Sequence, residues 1–292
     1  MHSSSPQQTL ADPSPQILVL GFGAAGQPFA TGLAAAGARV TAVDPAIAAQ
    51  GPIDRPRLTL CAALPARLDD YTLVISILPA ALTLAALRDL AGRGGNGTIL
   101  DLSSSDAATM RLAAEELDGR LVDGVILGAV GLTGHTTPLL LAGGPCETAE
   151  SILTPLGARV TVLPGGRHGD AGQLKLLRSL FTKTLEALVV ELNLAADALG
   201  LQDKLPLVLG DLRQVAFIDF MDEMLRTHPR HAGRRAIELE AAQALLAGRL
   251  PLPMAAAGLG VLARAAAEGP GPDASPRVAL DWLRAHAAPV AG

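Results

Sequence analysis

The 292-residue chain carries three lysines against twenty arginines, and one of them, Lys175, stands in the apolar run GDAGQLKLLRSLFTKTLEALVVE at 169–191. A lysine there can take and return a proton if burial and neighbouring charge lower its pKa toward the working pH. Ser179 follows four positions later, so on a helix both side chains leave one face and the hydroxyl could bind a substrate hydroxyl or the lysine. Thr182, Lys183 and Glu186 continue polar residues along that side; for Lys183 a solvated face of an amphipathic helix is the simpler reading. A second reactive group is the hydroxyl run Ser103, Ser104 and Ser105 after TILDL. Hydroxyls at a strand end suit a carboxylate, and one of the three is expected to cap the helix that begins near Asp106.

The stretch LVLGFGAAG at 18–26 places Gly21, Gly23 and Gly26 in G-x-G-x-x-G spacing, with Phe22, Ala24 and Ala25 between them. The first glycine permits a tight turn, the second lets backbone approach a pyrophosphate, and the third lets helix and strand pack closely. The helix that starts there offers N–H groups and a partial positive charge to phosphates. Asp44 closes the next apolar run, where a carboxylate accepts from two ribose hydroxyls and repels a 2′-phosphate. That favours NAD as cofactor over NADP, with Arg55 and Arg57 downstream keeping NADP as the alternative. The segment HPRHAGRR at 228–235 is either an anion clamp or a turn and helix start with surface arginines. Neither a metal-ligand spacing, a Walker-type loop nor a G-x-S-x-G elbow occurs in the sequence, so a metal site, a P-loop and a serine hydrolase are not expected.

These groups need elements to hold them. Short apolar runs (QILVL, ARVTAV, LTLCA at 58–62, TLVISIL at 72–78, GTILDL at 97–102, RLVDGVI, PLLLAG and RVTVL) alternate with segments of helical periodicity through the first half. Strands buried on both faces and separated by helices imply a mostly parallel sheet with helices on both sides. From about Gly169 the strand signals stop, and one long helix is expected from there to about 201. Further helices follow, with breaks expected at LQDKLP, THPRHAG, GRLPLP and GPGPDASP. The fold class expected is α/β, a Rossmann-type sheet followed by an all-α domain and joined to it by a long interdomain helix. The boundaries expected are a disordered arm at 1–14, a dinucleotide-binding domain at 15–167 and a helical substrate and dimerisation domain at 168–292.

Composition narrows the class. Almost half of the residues are apolar, but Ala and Leu supply the excess, which suits close-packed helices more than a membrane span. No run approaches the ~18 apolar residues of a transmembrane helix, and MHSSSPQQTLADPSP lacks the basic and apolar regions of a secretory signal. Cys61 and Cys146 sit in apolar surroundings without metal spacing, which reads as buried, inert thiols in a reducing, cytoplasmic setting rather than a disulfide. The net charge of −5 without a basic block argues against nucleic acid as a partner.

The order of the motifs resembles the β-hydroxyacid dehydrogenase superfamily, which includes 3-hydroxyisobutyrate and 6-phosphogluconate dehydrogenases. GFGAAGQPFATGLAAAG is similar to its cofactor turn and TLVISILPA to its fourth strand, which ends in Leu78 and Pro79 beside the cofactor. ILDLSSSDAATM resembles its substrate segment, and LVDGVILGAVG, with Gly128, stands in place of its D-A-P-V-S-G-G segment. DAGQLKLLRS resembles the segment of the catalytic lysine. The likeness runs from about residue 16 to 265 and is strongest to a branch with a phosphogluconate-dehydrogenase-like C-terminal domain.

This resemblance implies an NAD(P)-dependent oxidoreductase acting on a small β-hydroxy acid that carries a carboxylate. It implies Lys175 as general acid and base, substrate contacts at Ser103, Ser104, Gly128 and Ser179, cofactor contacts at Leu78 and Pro79, and a homodimer through the helical domain. Leu127 stands where the family has a serine, and Arg178 and Ser179 where it has asparagines. With DGVIL, these departures keep two alternatives in view: an imine or enamine reductase, and a dinucleotide-binding sensor without turnover.

Overall fold

In the computed structural model, residues 14–51, 55–266 and 275–286 are described. Of the arm expected at 1–14 only Ser14 falls among them, and the break expected at GPGPDASP lies largely outside them. The first half runs β1 (Gln16–Leu20), α1 (Gly26–Ala35), β2 (Arg39–Val43), α2 (Pro45–Ala48), β3 (Leu58–Cys61), β4 (Leu73–Ser76), α3 (Ala80–Ala91), β5 (Thr98–Asp101), α4 (Ala107–Glu116) and β6 (Leu121–Ile126). It continues through α5 (Val130–Thr133), β7 (Leu139–Ala142), α6 (Cys146–Leu153) and β8 (Val160–Val162). Then come α7 (Asp170–Ala198), α8 (Leu205–Val208), α9 (Phe217–Leu246), α10 (Pro253–Ala266) and α11 (Pro276–His286).

Among the described residues the strands form one eight-stranded sheet in the order β3-β2-β1-β4-β5-β6-β7-β8. Every neighbouring pair is parallel except β6 and β7. The order reverses between β1 and β4, and open α/β sheets bind ligands at such a point, beyond the carboxyl ends of the strands. The central strands are buried on both faces, β4, β5 and β6 having no exposed residue, while the edge strands β3 and β8 each expose one. One apolar cluster fills the face under α1 and α6, with Phe29, Leu33, Ile75 and Leu141 fully buried. Another fills the face under α3 and α4, with Leu18, Leu87, Leu90 and Met110. Cys146 and Cys61 are free thiols; Cys146 is buried as expected, whereas Cys61, at the end of the edge strand β3, is half-buried.

The chain forms two compact units, Met1–Ser179 and Leu180–Gly292, so the division falls inside α7. In the second unit α10 and α11 both pack on α9. Glu191, on the later part of α7, is buried and accepts from the N–H groups of Met254 (2.8 Å) and Ala255 (2.9 Å), capping α10. Among the described residues no helix is long and apolar enough to cross a membrane.

Two local expectations are corrected. The break at THPRHAG does not occur: α9 continues through Pro229, which is buried inside it. A proline removes one helical hydrogen bond and crowds the preceding turn, yet here the helix is held on both sides. Arg226 pairs with Glu223 before it and Arg234 with Glu238 after it, while α10 and α11 cover the helix. The cap of α4 is Asp106 rather than a serine, its Oδ1 accepting from Ala108 N (2.9 Å) and Thr109 N (3.0 Å). A carboxylate there also meets the positive end of the helix dipole.

Candidate active site

The glycine turn sits between β1 and α1, and each glycine meets a different constraint. Gly21 has φ +89°, and a Cβ on it would lie 2.3 Å from the Ile77 carbonyl oxygen, on the loop after β4. A Cβ on Gly26 would lie 2.0 Å from Gly21 O, so helix and turn touch there through backbone alone. At Gly23 a Cβ would meet no protein atom within 4 Å; the turn is open on that side. No side chain caps α1; Gln27 N already donates to Gly23 O (2.9 Å) and Pro28 has no N–H, so in the first turn it is the Gly26 N–H that is left to a ligand. Asp44, at the carboxyl end of β2, ties the turn in place: Oδ2 accepts from Phe22 N (3.0 Å), and Oδ1 from Ala46 N (3.0 Å) and Ile47 N (3.1 Å).

On the other side of β1 the loops after β4, β5 and β6 come together. Ser103 Oγ donates to Asp101 Oδ1 (2.8 Å) and accepts from Leu78 N (3.0 Å), with Ser76 Oγ 3.3 Å away. Ser103 therefore pins Leu78 and Pro79 to β5. Asp101 is wholly buried at the strand end, and that burial pushes its carboxyl up to about 6 against the hydrogen bonds from Ser103 and Ser76. Asp123, its register partner on β6, is also buried; Oδ2 accepts from Gly169 N (2.8 Å) and Ala171 N (3.3 Å), which anchors the start of α7. Burial raises the Asp123 carboxyl, and these N–H groups oppose the rise.

The small residues before Lys175 explain how it arrives at the site. A Cβ on Gly169 (φ +98°) would lie 2.4 Å from Ala107 Cβ, and one on Gly172 would lie 3.1 Å from Ser105 O. The start of α7 thus packs directly on the loop that holds the serines. Ser104 has φ +60°, a left-handed conformation that costs a non-glycine residue about 1–2 kcal/mol. In that conformation Ser104 Oγ accepts from Lys175 Nζ at 2.7 Å. Burial lowers the lysine pKa below its ordinary value, and the Arg178 charge lowers it further.

These pieces line one cleft of about 660 Å³, all within the first unit. Gly23, Ala24, Ala25 and Gly26 form one wall. Leu78, Pro79, Ser103, Ser104 and Gly128 line it from the strand ends, and Lys175 and Ser179 from α7. Gly21, Phe22 and Asp44 do not line it: the Phe22 side chain is buried in the core, and Asp44 acts on the turn from behind. Sequence reasoning missed Arg178 as a lining residue and the two buried acids. Asp101 and Asp123 had a signal, since an acid inside a fully buried strand pattern needs a partner. The residues of HPRHAGRR lie on α9, in the second unit, and do not line this cleft. Among the described residues no group of three or more His, Cys, Asp or Glu side chains is placed to hold a metal ion.

A glycine turn at the reversal point of a parallel sheet, with uncapped helix N–H groups beside it, defines a Rossmann-type architecture. No family model matches the chain. A curated relative, the uncharacterized 28.5 kDa protein in the 7S RNA 5′ region of Methanothermus fervidus, is 28% identical over 149 residues. The match covers 51% of this chain and 57% of that protein, so the chain spans little more than half the length of the curated relative it matches. Among solved structures, the conserved protein MTH1747, described as structurally similar to 3-hydroxyacid dehydrogenases, superposes with a TM-score of 0.55 at 24% identity, over 86% of this chain and 96% of that one. An imine reductase from Aspergillus terreus, in complex with NADPH4 and an azepine, superposes with a TM-score of 0.69 at 19% identity, over 92% and 99%. The chain therefore shares the fold of the 3-hydroxyacid dehydrogenase-like and imine reductase structures, as the motif resemblance implies.

Proposed function

We propose that this protein is an NAD(P)-dependent oxidoreductase of the β-hydroxyacid dehydrogenase superfamily, interconverting a small β-hydroxy acid and its carbonyl form with Lys175 as general acid and base. The observation that carries the proposal is the 2.7 Å Lys175–Ser104 hydrogen bond in a cleft whose other wall is the glycine turn. A bound nicotinamide would accept or supply the hydride. Lys175 takes the proton of the substrate hydroxyl in oxidation and returns it in reduction. Its lowered pKa favours the neutral amine that a base requires. Ser104 holds Nζ from one side and keeps a proton of its own to offer the substrate oxygen. Ser179, four residues after Lys175 on α7, offers a second hydroxyl from the same wall.

The turn fits a dinucleotide. Gly23 opens into the cleft where a pyrophosphate would approach backbone, with the Gly26 N–H at the start of α1 beside it. The neighbour solved with NADPH4 supports a nicotinamide cofactor and favours the phosphorylated form. This chain's own residues favour NAD. The Asp44 carboxylate at the end of β2 would repel a 2′-phosphate, and Arg57 bonds to Ser14 Oγ (3.0 Å) and Gly37 O (3.2 Å), at the amino ends of the strands.

A second reading, reduction of a C=N bond, is favoured by the imine reductase neighbour and by Leu127 in place of a serine. The two separate on a panel of β-hydroxy acids with NAD and NADP beside a cyclic imine with NADPH, followed by absorbance of the reduced nicotinamide. Oxidation of hydroxy acids with NAD is the result expected. Turnover of the imine alone would establish the second reading, and tight dinucleotide binding with no turnover would leave a sensor. The assembly proposed is a homodimer through the helical unit. Open apolar side chains support it, among them Leu180, Val190, Leu207 and Ile218, each more than half exposed. Sedimentation showing a monomer at micromolar concentration would contradict it.

A further inference from the structure

We infer that Arg178 is the residue that binds the acid group of the substrate, so that two cations one helical turn apart on α7 divide the work: Lys175 meets the reacting oxygen and Arg178 the anion. This rests on the oxidoreductase reading of the same cleft and adds the residue that selects the substrate. Three observations carry it. First, Lys175 and Arg178 line the cleft and, among the described residues, no Asp or Glu does, so the described lining is cationic and suits an anion. Second, the hydroxyls at the strand ends have other work. Ser103 has one proton, which goes to Asp101 Oδ1, and its oxygen already accepts from Leu78 N. A carboxylate needs donors, and Ser103 has none left for it. Ser104 Oγ accepts from Lys175 Nζ, and the proton it keeps is the one assigned to the reacting oxygen. Third, the loop after β6 lines the cleft with Ile126, Gly128, Val130 and Gly131, and Leu127 stands in the serine position. That wall offers no side-chain donor.

Spacing and chemistry agree with the assignment. Residues three apart on a helix have Cβ atoms about 5–6 Å apart, so one short molecule can reach both side chains. A guanidinium presents a planar fork of donors that matches a carboxylate in two parallel hydrogen bonds. The same charge pushes the Lys175 pKa down, and a bound anion would offset that push and return the lysine toward its protonated form. Two cations in one cleft also repel a protonated iminium, which separates this site from the C=N reading.

Calorimetric titration of malonate, a short dicarboxylate, into the protein saturated with NAD tests the assignment, with malonamide as the neutral control. Wild type should bind malonate and not malonamide. Arg178→Gln should weaken malonate about tenfold or more, the loss of a charge-assisted pair, while its affinity for NAD and its unfolding temperature stay unchanged. Arg178→Lys should fall between the two. Equal malonate affinity in wild type and Arg178→Gln, or no malonate binding to wild type, would overturn the inference while leaving the oxidoreductase reading intact. Failure of wild type to bind NAD or NADP would overturn that reading instead.

Discussion

The two walls of the cleft are built from different materials. The glycine-turn wall is backbone: Gly21, Gly23 and Gly26 work by the absence of a side chain, and Asp44 holds the turn from behind through three N–H groups. The opposite wall is charge and hydroxyl: Lys175, Arg178, Ser103, Ser104 and Ser179 surround the same space. Two buried acids at adjacent register positions hold that second wall, Asp101 through Ser103 and Asp123 through the start of α7. The first wall is suited to a ligand part that is the same whatever the substrate. The second carries the reactivity and the choice of molecule. Damage to the first should therefore cost binding or folding, and damage to the second should cost turnover.

The largest effect is expected at Gly26→Ala. Its Cβ would fall 2.0 Å from Gly21 O, so backbone must move, at a cost of about 3 kcal/mol or more. A lower unfolding midpoint together with lost dinucleotide binding is the expected outcome, and an unchanged midpoint would show that helix and turn do not meet as described. Next comes Asp101→Asn. A carboxyl held at about 6 in the folded chain, against an ordinary value of 3.8, costs no stability below the lower pH and its full cost above the higher. Its contribution falls by about 3 kcal/mol in all, roughly 2 of it between pH 4 and 6. Denaturant unfolding at several pH values should show the wild type losing stability relative to Asp101→Asn across that window, and parallel curves would contradict it. The smallest effect on the fold is expected at Gly23→Ala, whose Cβ meets no protein atom within 4 Å. Stability should hold while dinucleotide affinity drops roughly tenfold, since the methyl occupies the space where a pyrophosphate approaches. Equal affinity would remove the phosphate from that space.

This division also explains what could be read from the sequence. A glycine turn depends on local backbone, and strand, turn and helix are contiguous in QILVLGFGAAG, so β1, the turn and α1 were legible together. The eight strands were legible for the same reason, as apolar runs between helical periods. The second wall joins residues 78, 103, 123 and 175, and its contacts depend on the fold. That Ser103 gives its proton to Asp101, that Ser104 turns left-handed to meet Lys175, and that Arg178 lines the cleft are outcomes of packing. Asp106 took the cap expected of a serine because it is the residue of extended backbone immediately before α4. Pro229 failed to end α9 because neighbours on both sides sustain the helix.

The central claim is that Lys175 moves the proton while the glycine-turn wall binds the cofactor independently of it. The most direct test compares wild type with Lys175→Met in two readings: dinucleotide affinity by quenching of protein fluorescence, and turnover with the best hydroxy acid of the panel. The account predicts affinity unchanged within about twofold and turnover lower by roughly 10²–10⁴, the range for loss of a general acid or base. Full turnover in the Lys175→Met variant would contradict it.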